Sequence, residues 1–372
     1  MIGPKAITLN CGYDGGLNLM VDILSLNIDE LQLFMKDLGQ PAYRAVQVFE
    51  WLHQRFPAVS DEAFLFEKMN NLPQNLRNEL EKQCLITSVN LEKELRAKDG
   101  TVKFLLAVGG EPASSRVYIE SVLMEYTHGN TVCISTQAGC KMGCIFCATG
   151  HSGFLRNLSA GEMCMQVYAV KRPVRNVVLM GCGEPLDNFD ATLRFIELIT
   201  HPKGAGLSQR HITLSTCGLV PEILTLAKYK MQITLAISLH GPDDDTRQAL
   251  MPIAKNHAIK DLIAACHQYA NTTRRRITFE YALTEGVNDS PAQARALANL
   301  LKGLLCHVNL IPVNQVGLTK LSPTKKHEAA TFASILQAAN IPTTIRRTIG
   351  AEVNAACGQL RAANTDSKLK PV

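Results

Sequence analysis

Cys140, Cys144 and Cys147 stand in the run Cys140-Lys-Met-Gly-Cys144-Ile-Phe-Cys147, a C-x3-C-x2-C spacing. Three thiolates on one loop are a metal-binding set that is one ligand short of a tetrahedron. Structural zinc sites close with four protein ligands, whereas an open position is usually kept for chemistry. Cysteine thiolates are also the ordinary ligands of a [4Fe–4S] cluster. Such a cluster held by three of them has one iron free to bind something else. His151, four residues after Cys147, offers the alternative of a closed zinc site. Paired C-x2-C spacings are the more usual zinc pattern, which weighs against it.

A loop of this kind needs a scaffold that turns its open side towards other polar groups. From residue 131 onward, short β-branched runs recur at 131–136, 176–180, 211–216, 232–238, 276–283 and 307–312. Helical segments, among them 159–170, 191–198 and 261–270, lie between them. Strand–helix units in a row predict a parallel α/β sheet. Six rather than eight predict an open, partial (β/α)6 barrel, whose active site belongs at the carboxyl ends of the strands.

Polar groups fall at those ends. The second run leads into Gly181-Cys182-Gly183-Glu184-Pro185, where glycine would let the backbone approach a ligand and Glu184 could accept from an ammonium. The third ends in Ser215-Thr216-Cys217-Gly218, the fourth in Ser238-Leu239-His240 and the sixth in Pro312-Val313-Asn314. A lone Ser or Asn at a strand end is usually a turn former. Gathered on one rim beside the cysteine loop, these groups predict a ligand site and weaken the zinc reading further.

The remaining chain supplies accessory elements. Residues 1–20 read as a leader and residues 21–85 as a small helical domain. Asn27 and Glu30 have capping-box spacing, and Leu31, Phe34, Met35 and Leu38 follow at helical period. Pro41 starts a second helix with Val48, Phe49, Leu52 and Phe56 on one face, and a third begins near Pro73. Residues 86–130 alternate instead, with turn signals at Asp99-Gly100 and Gly109-Gly110, and predict an antiparallel β extension. The core barrel then spans 131–348 and a C-terminal segment 349–372.

Composition limits the function classes. With 46% hydrophobic and 19% charged residues, the 372-residue chain can build a sizeable core. No apolar run approaches the roughly 20 residues of a membrane span, and the N-terminus lacks a signal-peptide pattern. Twelve cysteines without a regular framework fit a reducing cytoplasm. Residues 1–85 carry seven Lys/Arg against eleven Asp/Glu, so the remainder carries 31 against 22. That basic excess suits a polyanionic partner, with Arg274, Arg275 and Arg276 as candidate phosphate contacts.

The cysteine spacing, with Phe146 before the last ligand, resembles the radical S-adenosylmethionine (SAM) superfamily. Within it, Cys133 through Cys140, Cys147-Ala-Thr-Gly150 and Gly153 through Leu158 are similar to the RlmN/Cfr methyltransferases. So are Met180 through Pro185, His211 through Gly218, and Ala355-Ala-Cys357-Gly-Gln-Leu-Arg361. The resemblance runs from about Leu24 to Arg361. It implies methylation of an aromatic carbon of an adenosine in 23S rRNA, and in some members also of a tRNA adenosine beside the anticodon. It implies that Cys140, Cys144 and Cys147 hold the cluster, and that Gly183, Glu184, Ser215, Ser238, Leu239, His240 and Asn314 bind SAM. Cys357 would be the methyl carrier, Cys133 the second thiol, and Glu120 a proton acceptor.

The C2 carbon of adenine is electron-poor and its hydrogen is not acidic, so a base cannot make it a nucleophile. The implied route is radical, and that chemistry belongs to the cofactor. One SAM methylates Cys357. A second is cleaved to a 5′-deoxyadenosyl radical, with an electron from a donor such as flavodoxin or ferredoxin. The radical takes a hydrogen from the S-methyl group, and the resulting carbon radical joins protein to base. After loss of the C2 proton, Cys133 attacks the Cys357 sulfur, leaving a disulfide and free methylated RNA. The base would have to leave its stack to reach this centre. The Leu360-Arg361 ending leans towards RlmN and C2, with Cfr and C8 as the alternative. Ile349 through Glu352, Cys182, Cys217 and Gln315 depart from the commoner residues, which bears on the shape of the substrate pocket. The reading from a different class is a non-catalytic zinc-dependent RNA-binding protein.

Overall fold

The structure, a computed structural model, describes residues 20–54, 66–109, 116–314, 321–361 and 363–364. The leader (Met20 apart), Phe56, Gly110 and Gln315 lie outside the described residues. The chain forms two compact units. The first comprises residues 1–89, 159–173 and 193–207, the second 90–158, 174–192 and 208–372.

In the first unit, β1 (Val21–Asp22) is followed by α1 (Ile28–Asp37), α2 (Tyr43–His53) and α3 (Gln74–Gln83), and then by β2 (Cys84–Leu85) parallel to β1. The Asn27 side chain accepts from the Glu30 N–H, and Glu30 accepts from the Asn27 N–H, so the capping box forms. Leu31, Met35, Val48, Phe49 and Leu52 are fully buried, as their helical period requires. At the centre of this unit His53 Nδ1 lies 2.9 Å from the Tyr168 hydroxyl.

The second unit is built on one sheet. It starts with β3 (Val89–Arg96), β4 (Val102–Val108) and β5 (Val117–Met124), and β5 pairs antiparallel with β6 (Thr131–Ile134). The β extension is therefore continuous with the barrel sheet. Asp99-Gly100 turns the chain from β3 to β4, the Asp99 carboxylate accepting from the Thr101 N–H. After β6 comes a hairpin, β7 (Gln137–Gly139) with β8 (Phe154–Asn157), which carries the cysteine loop and the short helix α4 (Ala148–His151). This hairpin has no counterpart in the sequence reading.

Further along are α5 (Ala160–Tyr168), β9 (Asn176–Leu179), α6 (Phe189–Thr200), β10 (Ile212–Thr216), α7 (Val220–Lys228) and β11 (Thr234–Ser238). Then follow α8 (Asp244–Leu250), α9 (Ile259–Thr273), β12 (Ile277–Leu283), α10 (Pro291–Leu300), β13 (Cys306–Pro312), α11 (Lys326–Ala338) and β14 (Thr343–Ile345). Strands β6, β9, β10, β11, β12 and β13 pair in that order, all parallel. These are the six expected strands, and the short β14 adds a seventh beside β13. The partial barrel is thus present. Ala363–Asn364 forms β15 and returns to pair with β5. No helix among the described residues is long and apolar enough to cross a membrane.

Arg274 caps α9 with a left-handed backbone, and Arg275 and Arg276 precede β12. They stand at the amino end of that strand, opposite the rim that carries the site. The physical reason is connectivity, because helix-to-strand loops emerge at the bottom of such a barrel. The three arginines are not groups at the mouth.

Candidate functional site

The cysteine loop is held at both ends by backbone bonds. The Cys140 N–H donates to the Gly153 carbonyl at 2.9 Å, and the Ile145 N–H to the Leu250 carbonyl at 3.0 Å. Burial first, then neighbouring negative charge, pushes the thiols of Cys140 and Cys144 up, Cys140 to about 12. Cysteine thiolates are the ordinary ligands of an iron–sulfur cluster, and three cysteines stand on this one loop. By donor type the set fits a cluster. His151 Nε2 lies 2.9 Å from the Ile145 carbonyl, within its own loop.

Gly183 and Glu184 follow β9. A Cβ at Gly183, whose φ is +104°, would stand 2.6 Å from the Gln137 Cβ, and one at Gly181 would stand 2.7 Å from the Ile134 carbonyl. No side chain larger than hydrogen fits at either glycine, because β7 and the end of β6 pack against them. Gln137 accepts from the Glu184 N–H at 2.9 Å and donates to Asn157 and Asp187 at 2.8 and 2.7 Å. Glu184 is buried, and its carboxylate oxygens accept from the Leu186 and Cys217 N–H groups at 3.0 and 2.7 Å. Burial raises its pKa against those bonds. An ammonium placed on its remaining lone pairs would favour the charged form.

His240 sits after β11 with a φ of +58°, a left-handed conformation uncommon outside glycine. Its Nδ1 accepts from the Ala282 N–H at 2.9 Å, and its carbonyl accepts from the Asn288 side chain at 2.8 Å. Burial, then the Arg247 charge, bring its pKa down to about 3. The ring is neutral at pH 7, and with Nδ1 accepting, its proton belongs on Nε2. The ring meets Phe146 of the cysteine loop edge-on at 4.6 Å between centroids.

The sequence reading missed Arg247. In the polar helix α8 it reads as a surface residue, yet it is fully buried. Its Nη1 donates to the carbonyls of Ser238 and Leu239 at 2.8 and 2.9 Å, and its Nη2 to that of Cys217 at 2.5 Å. One planar guanidinium thus ties the ends of β10 and β11 together, a geometry lysine cannot reproduce. No signal in the sequence marks it.

The C-terminal segment closes the site. The carbonyl of Gly358 accepts from the Ala148 N–H at 2.7 Å, and that of Leu360 from the Thr149 hydroxyl at 2.6 Å. Asn314 donates to the Cys357 carbonyl at 3.0 Å. Cys357 lines one cavity with Cys133, Val122, Met124, Met180 and Arg346. Cys133 is buried on β6, and burial, then the charge of Cys357 as thiolate, pushes its thiol up to about 12. Arg346, also missed by the sequence reading, is held firmly protonated by that same Cys357 charge and by Glu280. Glu280 in turn accepts from the Asn309 side chain at 3.0 Å. Glu120 lies on β5 with one carboxylate oxygen 2.8 Å from Lys103 and the other accepting from the Arg361 N–H at 2.9 Å. Ser215 and Ser238 stand in the last two residues of β10 and the last of β11. The structure thus gathers the candidate residues at one end of the parallel sheet.

Comparison with known proteins agrees with this geometry. Residues 134–297 match the radical SAM superfamily, and residues 21–86 match the ribosomal RNA large subunit methyltransferase N-terminal domain. The chain is 47% identical over 349 residues to an Alkaliphilus oremlandii protein named "Probable dual-specificity RNA methyltransferase RlmN", covering 92% of this chain and 97% of that one. A Clostridium perfringens protein of the same name is 44% identical over 94% of this chain and 99% of its own length. The crystal structure of a radical SAM methyltransferase from Sphaerobacter thermophilus matches with a TM-score of 0.84 and 42% identity, over 91% of this chain and 98% of that one.

Proposed function

Because the chain belongs to the RlmN family of radical SAM RNA methyltransferases, we propose that it adds a methyl group to C2 of an adenosine in 23S rRNA. A tRNA adenosine beside the anticodon is the second substrate, in keeping with the dual specificity in its relatives' names. The observation that carries this reading is the shared cavity of Cys133 and Cys357. A methyl carrier and a releasing thiol must be able to meet, and lining one cavity supports those roles for these two. The zinc-dependent RNA-binding alternative falls with the family, and the names of the relatives favour C2 over C8.

Cys140, Cys144 and Cys147 would hold a [4Fe–4S] cluster. Gly183, Glu184, Ser215, Ser238, Leu239, His240 and Asn314 would hold SAM. When bound, the cluster supplies the electron that makes radical chemistry available. Glu184 would take the SAM ammonium on its remaining lone pairs, and the Nε2–H of His240 would be a neutral donor. Cys357 would take the methyl group, with the protonated Arg346 lining the same cavity. Once the carrier is joined to the base, Cys133 attacks the Cys357 sulfur. With the adduct's unpaired electron passed to the redox centre that the three cysteines would hold and the C2 proton lost, the carbon–sulfur bond breaks, a sulfur–sulfur bond forms, the released carbon takes up a proton, and the methylated base is free. Two SAM molecules per turnover follow from this division of labour, with flavodoxin or ferredoxin as donor. The enzyme works in the cytoplasm as a monomer.

Nucleoside mass spectrometry of 23S rRNA and tRNA from a deletion strain tests the proposal. Loss of 2-methyladenosine, restored by the wild-type gene, is the expected result. Loss of 8-methyladenosine instead, or an unchanged nucleoside profile, would overturn it.

A further inference from the structure

The segment around Cys357 has little regular structure of its own, so something must hold it. Its two sides are bonded to the same ion pair. Lys103 Nζ, on β4, donates to the Asn354 carbonyl at 3.3 Å, three residues before Cys357. Glu120, diagonal to Lys103 on the neighbouring strand β5, accepts from the Arg361 N–H at 2.9 Å, four residues after Cys357. The two side chains meet at 2.8 Å and are only 9% and 13% exposed. Further bonds run from the same sheet. Asp99 accepts from the Gly350 N–H at 2.8 Å, and Gly350 packs so closely that a Cβ would stand 2.7 Å from the Thr101 methyl.

We propose that Lys103 and Glu120 form a latch that brackets Cys357 and sets the register of its segment over the barrel mouth. The β extension is then the part of the protein that aims the carrier thiol. Both members are positioning residues. With one oxygen on Lys103 and the other on a backbone N–H, Glu120 is built into the wall of the site. The proposal rests on the reading of Cys357 as methyl carrier. A nearly buried ion pair cannot lose one member cheaply, since the other charge is then stranded, so the latch either holds or opens as a unit.

The test uses the full chain with its cluster reconstituted anaerobically, in four forms: wild type, Lys103→Met, Lys103→Arg and Glu120→Gln. Two measurements need no turnover. Hydrogen exchange reports the amides of 354–361, with β12 as internal reference, and peptide mapping reports alkylation of Cys357 by iodoacetamide. Lys103→Met should raise both rates about tenfold or more, the effect of losing hydrogen bonds to a charged group, with β12 unchanged. Lys103→Arg should restore most of the protection. Should Lys103→Met also loosen β12, Glu120→Gln decides, because it keeps an acceptor for the Arg361 N–H while breaking the pair.

Methylation of Cys357 by SAM, read by mass spectrometry, separates the latch from the proton-acceptor role. The latch places the defect of Glu120→Gln at this first step. Normal Cys357 methylation in Glu120→Gln, followed by accumulation of protein joined to RNA, would overturn the proposal. So would unchanged exchange at 354–361 in both Lys103→Met and Glu120→Gln. A wild-type Cys357 that takes no methyl group would instead end the carrier reading, and the exchange data would still decide the latch.

Discussion

Cys133 and Cys357 face one cavity, although one lies on the first barrel strand and the other near the end of the chain. Cys357 is half-buried, whereas Cys133 is buried with its thiol pushed up to about 12 by burial and then by the charge of Cys357. The pair is therefore unequal. On the proposed roles, the half-buried thiol is the carrier and the buried one is the thiol that releases the product.

That inequality predicts the outcome of removing each thiol. Cys133→Ala should let the reaction run to the protein–RNA adduct and stop there, while Cys357→Ala should form no adduct. Labelled RNA on a denaturing gel reads the result, with the shifted band of Cys133→Ala absent in the Cys133→Ala/Cys357→Ala double variant. Cys133 also packs with Val122, Met124, Cys182 and Leu360, and a purely packing role would cost only about 1 kcal/mol of stability and permit turnover. Multiple turnover by Cys133→Ala would sink the division of roles.

Release of RNA should depend steeply on pH. The attacking species is the thiolate, and a thiol held near 12 is mostly protonated at neutral pH. Below that pKa the thiolate fraction rises with pH, by roughly tenfold per unit. Single-turnover release from preformed adduct should accordingly quicken between about pH 7 and 9, until another step limits it. A flat profile would mean that a base inside the site activates Cys133.

The cysteine loop makes a prediction about metal content. Cys140→Ala, Cys144→Ala or Cys147→Ala should abolish the brown iron–sulfur absorption and SAM cleavage, whereas His151→Ala should keep both. Anaerobic iron, sulfide and zinc analysis with an absorption spectrum settles the matter. Stoichiometric zinc without iron in the wild type, lost from His151→Ala, would restore the zinc reading.

Arg247→Met tests the scaffold rather than the chemistry. The substitution leaves the carbonyls of Cys217, Ser238 and Leu239 without their donor at the ends of β10 and β11. A cost of about 3 kcal/mol or more is expected, from several buried acceptors at once, and urea unfolding measures it. Arg247→Lys should recover little, since an ammonium cannot span three carbonyls on two strands. Equal stability of Arg247→Lys and wild type would show that charge alone matters there.

Much of this protein was legible in the residues themselves. The C-x3-C-x2-C loop declares its chemistry because metal ligands must be close together, and closeness on one loop is closeness in sequence. The six parallel strands and the helices between them follow from local periodicity and capping, and the Asn27–Glu30 box forms as read. Cys133 and Cys357 were legible only through family resemblance, since nothing local joins them. What the tertiary structure alone decided are pairings between distant side chains and backbone groups. Arg247 reads as a solvated helix residue until three carbonyls are seen around it. Gly183 reads as an open glycine until Gln137 is found packed where its side chain would be. Lys103 is an ordinary strand lysine, and Glu120 an ordinary strand glutamate, until they meet at 2.8 Å with Cys357 between their backbone partners. Such contacts leave no period or spacing in the chain, because the fold that closes the loop between them brings them together and the neighbouring sequence does not.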